Sequence, residues 1–322
     1  MAKKRKKFFK WCVYLFAISI IALATIYTFE SDFRSTINST LVLSAQSARS
    51  GRLFRSSEDY LSYTHLLSTR LKLGIHRTIR KYLRNEEVKK TTFLGYTVRC
   101  FDLRVVEFSF IEIFLNLPYF FKCEKKSPLV IDCGSNIGMS ILFFKTIYPE
   151  AEIIAFEPSG PTFDLLKDNV ESNRLKNVTL HKAALSNMEG ELRFYYNKPG
   201  DLRASLIDSR SNRYYETVKA VKLSQYIDRE VDFLKVDVEG AEGLIFDDLH
   251  SSGKLNLIRA MVVEYHHHID SETDNMSRIL WILESNKFGY QVLAGGRLPF
   301  KARYFQDVLI YAYRKSTNSG GL

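Results

Sequence analysis

From Pro128 onward the chain alternates short apolar runs with amphipathic segments. Hydrophobic runs at 129–132, 152–156, 178–182, 233–236, 260–264 and 307–313 read as strands. Between them, apolar positions recur at helical spacing over about 138–147, 161–173, 241–250 and 274–287. This rhythm predicts an α/β fold: a Rossmann-like, doubly wound, mostly parallel sheet with helices on both faces. The stretch GELRFYYNKPGDLRASLI inserts two strand-like pieces around a Pro-Gly turn. The last stretch, YQVLAGGRLPFKARYFQDVLIYAY, reads as two strands joined by a loop. A strand pair that close in sequence includes an antiparallel member, because parallel neighbours need a long crossover.

Upstream the pattern is different. Leu61, Leu66, Leu67, Leu71 and Ile75 fall near helical spacing within residues 60–89. TTFLGYTVRCFDL reads as a hairpin around Gly95, and Glu107 to Phe121 as an apolar helix on the core, with a second membrane-touching segment as the alternative. The first residues carry Lys3, Lys4, Arg5, Lys6, Lys7 and Lys10, followed by WCVYLFAISIIALATIYTF without a charged residue. As a helix that stretch spans roughly 28 Å, close to the hydrocarbon thickness of a bilayer. It reads as a single-pass membrane anchor, with a cleaved signal peptide as the alternative. The basic cluster keeps the N-terminus cytoplasmic, and by charge alone the main domain falls on the far side, although its side stays open. The resulting layout is a basic tail (1–10), a transmembrane signal anchor (11–29), a stem (30–60), a helical and hairpin extension (61–127), the main domain (128–314) and a short tail (315–322).

The formal charge of +10 is concentrated in the N-terminal third. Basic and aromatic residues are not interleaved as a base-stacking surface needs, which argues against nucleic acid as a partner. The four cysteines lack metal-site spacing, and Cys100–Cys123 is the one conceivable disulfide.

Candidate chemistry gathers where the predicted strands end, the edge at which open α/β sheets bind ligands. VIDCGSNIG places Gly134 and Gly138 in the first strand–helix turn. No Gly-Lys-Ser/Thr follows, which excludes a P-loop, and Asn136 stands where a dinucleotide fingerprint has its middle glycine. Strand two ends at Glu157, nineteen residues after Gly138, where a carboxylate grips a ribose diol. A glycine turn and a diol-binding acid without a pyrophosphate cradle suit S-adenosylmethionine (SAM), with Asp132 placed for its ammonium group. Lys235, Asp237, Glu239 and Glu242 leave strand four, and Glu264 and His266 leave strand five. Asp237, Glu239, Glu264 and His266 form a candidate base or divalent-metal set.

Taken in order, VIDCGSNIGMS, AFEPSGPTFDLLKDNVESN, NVTLHKAALSNMEGELRFY, VDFLKVDVEGAEGLIF and VVEYH resemble the FkbM-type methyltransferases over roughly residues 95–313. The resemblance implies a SAM-dependent enzyme that methylates hydroxyl oxygens. It implies that Asp132, Gly134, Asn136, Gly138 and Glu157 hold the cofactor, with Ala184 and Ser186 near the adenine and Asp237 near the methyl group. Lys235, Glu239, Glu242, Glu264 and His266 match recurrent family positions, and His266 or Asp237 is the expected base. A sugar-like or other small or glycan acceptor fits a carboxylate-lined pocket. Two other readings remain at this stage: a membrane-anchored glycosyltransferase, and an inactive Rossmann-like interaction module.

Overall fold

The computed structural model describes Ser31 and residues 63–83, 87–208, 214–269, 274, 276–295 and 306–315. The basic tail, the apolar stretch 11–29 and most of the stem lie outside these residues. Among the described residues no helix is long and apolar enough to cross a membrane. The chain divides into two compact units, 1–87 and 88–322. In the first, helix α1 (Tyr63–Leu83) forms where the leucine spacing predicts it.

The second unit opens with hairpin β1 (Lys89–Phe93) and β2 (Tyr96–Cys100), turning through Leu94 and Gly95. Helix α2 (Leu103–Ser109) starts earlier than the apolar pattern suggests, because Asp102 caps it by accepting the Arg104 N–H at 2.9 Å. It then widens into a π-helical turn, Phe110–Leu115. The buried face of that turn joins an aromatic cluster in which Phe110 and Phe114 stack on each other and meet Phe93 and Phe143 edge-on.

The main sheet follows as β3 (Leu129–Cys133), α3 (Met139–Ile147), β4 (Glu152–Phe156), α4 (Gly160–Ser172) and β5 (Val178–His181). Next come β6 (Ala184–Leu185), β7 (Gly190–Tyr196) and β8 (Tyr214–Val221). The chain continues through β9 (Val231–Val236), α5 (Glu242–Ser251), β10 (Ile258–His267), α6 (Met276–Ser285), β11 (Phe288–Ala294) and β12 (Gln306–Arg314). Seven strands pair in the order β11-β12-β10-β9-β3-β4-β5, and β12 runs antiparallel to both neighbours. This is the expected doubly wound sheet with its antiparallel C-terminal strand. Both central strands, β3 and β9, are buried along their whole length, so their sequences are near-continuous hydrophobic runs.

Two expectations need correction. The insertion is a separate three-stranded sheet, β6-β8-β7, and β8 lies beyond the stretch read as strand-like. Tyr214-Tyr215-Glu216-Thr217-Val218-Lys219-Ala220-Val221 alternates polar and apolar positions with its first half exposed, so no hydrophobic run marks it. In addition, Cys100, Cys123 and Cys133 are all free thiols, so the Cys100–Cys123 bridge is not formed.

Candidate active site

The carboxyl ends of β3, β4 and β9 are tied together by backbone hydrogen bonds. Gly134 and Ser135 donate to the Phe156 carbonyl at 3.1 and 2.9 Å, and Asp237 N–H donates to the Cys133 carbonyl at 3.1 Å. Gly134 has φ +84, and a Cβ there would stand 1.8 Å from the Asp237 carbonyl oxygen. Glycine is therefore required for the turn to pass over the end of β9. At Gly138 (φ +92) a Cβ would press on Leu166 of α4 at 2.8 Å, so this glycine serves helix packing.

Register places Asp132 of β3 beside Lys235 of β9, both fully buried. The Lys235 ammonium lies 3.2 Å from Asp132 and 3.4 Å from Asp237, and donates to the Gly134 carbonyl at 2.7 Å. Burial disfavours this charge, but Asp132 and Asp237 outweigh it and hold the lysine pKa above its ordinary value. The second oxygen of Asp132 accepts from the Ser140 hydroxyl at 2.5 Å. Asp132 thus lies beneath the surface, engaged by Lys235 and Ser140, rather than open to an ammonium group from a ligand.

Above this pair lies a cavity of about 700 Å³, within the usual range for small-molecule sites. Gly134, Asn136, Glu157, Ala184, Lys235, Asp237, Glu239 and Glu264 line it, while Gly138, Ser186 and His266 do not. Ser186 is buried, and its backbone N–H donates to the Val221 carbonyl at 3.0 Å. Tyr119, Ser140, Asp307 and Tyr311 are lining residues that the sequence reading missed. Tyr119 donates its hydroxyl to Asp237 at 3.4 Å. Asp307 arrives because β12 is antiparallel: its first residues lie where the parallel strands end, opposite His266 in register.

Glu157 is buried at the end of β4. Its two oxygens accept the Ser159 and Asn136 backbone N–H groups at 2.9 and 3.0 Å. Burial outweighs these bonds and pushes its pKa from 4.5 to about 7. The folded state therefore holds this proton more tightly than the unfolded chain does. The associated stability is complete below pH 4.5 and is lost as pH rises through about 7, a difference of roughly 3 kcal/mol. Glu157→Gln is expected to flatten that part of the profile. It should be about 1 kcal/mol less stable than wild type at pH 5, having lost one acceptor, and should match or exceed it at pH 8. Urea unfolding at the two pH values measures this; parallel profiles would sink the assignment.

Glu264 is likewise pushed up to about 8, by burial first and the Asp237 charge second. His266 is buried, with Nδ1 2.9 Å from Glu242 and Nε2 3.3 Å from Glu239. Burial disfavours the imidazolium, but the Glu242 charge and the Glu239 hydrogen bond hold its pKa well above the ordinary histidine value. Lying below the cavity surface with a carboxylate beside each ring nitrogen, His266 is poorly placed for the role of general base expected of it.

Residues 132–292 match the family model described as the methyltransferase FkbM domain. The chain belongs to the FkbM methyltransferase family. It is 30% identical over 213 residues to Methyltransferase 1 of Beauveria bassiana, an alignment covering 58% of this chain and 82% of that protein. It is 28% identical over 151 residues to the hexuronic acid methyltransferase AglP of Haloferax volcanii, covering 45% of this chain and 59% of the relative. Among solved structures, methyltransferase FkbM from Methylobacillus flagellatus superposes with a TM-score of 0.42 at 16% identity, over 66% of this chain and 54% of that one. Membership in this family sets aside the glycosyltransferase reading.

Proposed function

We propose that this FkbM-family chain uses SAM to methylate a hydroxyl oxygen of a sugar-like acceptor. The observation that carries the reading is one cavity with two chemically different ends. One end offers Glu157 beside the apolar surfaces of Ile137, Phe156, Ala184 and Leu185. The other offers Asp237, Glu239, Glu264 and Asp307. The first end fits a nucleoside. Each Glu157 oxygen accepts one backbone N–H and keeps a second lone pair, enough to hold a ribose diol. The nearby cation, Lys235, is committed to Asp132, Asp237 and the Gly134 carbonyl, which suits a ligand without phosphates.

When bound, SAM supplies an electrophilic methyl group on a positively charged sulfur. The chain's part is to position the acceptor and take its proton. Asp237 is the favoured base: it lines the cavity, and Lys235 and Tyr119 fix its orientation from below. Glu264 lines the same end and can hydrogen-bond an acceptor oxygen, and Lys235 is a positioning cation under the carboxylates. The name of the Haloferax relative supports a sugar acid or related glycan as the acceptor class.

Calorimetric titration of SAM into the full chain tests the cofactor assignment. Binding by wild type that weakens at least tenfold in Glu157→Gln is expected. Transfer of labelled methyl to hexuronic acids or other sugars then tests the acceptor. A folded chain that binds no SAM would overturn the reading and favour an inactive module.

A further inference from the structure

The acidic end of the cavity contains an arrangement that proton transfer alone does not require. Nε2 of His266 lies 3.3 Å from Glu239 Oε2, 3.9 Å from Asp237 Oδ1 and 3.9 Å from Asp307 Oδ1. Donor atoms of Asp237, Glu239 and His266 all fall within 4.8 Å of one another, and so do those of Glu264, His266 and Asp307. An octahedral ion with bonds of about 2.1 Å has neighbouring ligand atoms about 3 Å apart and opposite ones about 4.2 Å apart. The observed separations fall close to that range without rearrangement of the backbone.

The imidazole is also oriented from behind. Glu242 is fully buried, accepts the Gly240 N–H at 2.9 Å and lies 2.9 Å from His266 Nδ1. A buried carboxylate on one ring nitrogen turns the other toward the cavity carboxylates, as outer partners of metal-binding histidines do. Asp237 divides its oxygens similarly: Oδ2 faces Lys235 and Tyr119, and Oδ1 faces His266. The cluster therefore combines a buried, oriented nitrogen with carboxylates from three separate segments of chain. Lys235 lies 3.4 Å from Asp237, and Asp132 shares its charge at 3.2 Å.

We propose that Asp237, Glu239 and His266, with Glu264 and Asp307 on the open side, bind a divalent cation of the Mn²⁺ class. One nitrogen among several carboxylate oxygens suits Mn²⁺ better than Ca²⁺ or Mg²⁺, which prefer oxygen alone. An acceptor hydroxyl held on such an ion is more acidic than a free one. That role rests on the methyl-transfer reading, whereas the ion site does not.

The test uses the full chain, stripped with EDTA and titrated with Mn²⁺ while free Mn²⁺ is followed by electron paramagnetic resonance. Thermal melting is measured in parallel, since an ion that binds only the folded state raises Tm. One bound Mn²⁺ and a raised Tm are expected for wild type. Glu239→Gln and the more exposed Asp307→Asn are expected to weaken binding tenfold or more and to lose the Tm increase while still melting cooperatively without metal. His268→Ala is a control for the neighbouring surface trio His267, His268 and Asp274, and should bind Mn²⁺ like wild type. Absence of stoichiometric Mn²⁺ in wild type, unchanged affinity in both carboxylate variants, or loss confined to His268→Ala would each overturn the proposal. SAM titrated into the EDTA-treated chain separates the two readings: Mn²⁺ binding without SAM binding leaves the ion site standing and removes methyl transfer, and the reverse removes only the ion.

Discussion

Replacing Asp132 by alanine is expected to lower folding stability by about 3–5 kcal/mol, the range for deleting one partner of a buried ion pair. Asp132 and Lys235 face each other in register on the two central strands, with side chains 0% and 2% exposed. Without Asp132, the ammonium keeps the Gly134 carbonyl and the half-buried Asp237, and the Ser140 hydroxyl loses its acceptor. The remaining charge is then poorly compensated in a buried site. A double variant, Asp132→Leu with Lys235→Met, removes both charges and should regain most of the loss. Urea denaturation of the two variants provides the check. A loss below about 1 kcal/mol for the single change, against the expected several, would mean that the pair is not the electrostatic centre of the sheet.

The second large effect is expected at Gly134. Gly134 and Gly95 share φ +84, but a Cβ at Gly95 meets nothing within 4 Å, whereas at Gly134 it meets the Asp237 carbonyl at 1.8 Å. Gly95→Ala should therefore cost only the left-handed backbone penalty, about 1–2 kcal/mol. Gly134→Ala carries that penalty and must also push β3 and β9 apart where Asp237 leaves the sheet. A further loss of at least about 2 kcal/mol is expected, together with loss of SAM binding. Equal destabilisation of the two variants by urea would show that the turn moves aside freely. The comparison also separates two reasons for a glycine that a sequence motif does not distinguish: conformational freedom and lack of space.

The sheet was legible because parallel strands buried on both faces leave continuous apolar runs, and because its helices carry a 3.6-residue period. Strand β8 left no such run. The cavity acids were legible for a related reason: Glu157, Asp237, Glu239 and Glu264 interrupt or end hydrophobic strands, and such residues need a partner or a use. Depth was harder to read. Asp132 and His266 belong to the same strand ends but point beneath the cavity, and that direction depends on neighbours from other strands. Tyr119 and Ser140 follow from packing between elements and leave no polar anomaly. Asp307 reads as an ordinary strand boundary until the antiparallel direction of β12 is known.

That direction has a consequence for how the molecule is made. Strand β12 lies between β10 and β11, although it follows both in sequence. On the ribosome β10 therefore emerges with one edge unpaired, and β11 emerges with no neighbour to join. Only when β12 is translated does the gap close, and the same event delivers Asp307 to the cavity. A nascent chain that has completed the Glu157 end of its cavity is still unfinished at the acidic end, so assembly of the second half waits on the last strand of the sheet to be synthesised.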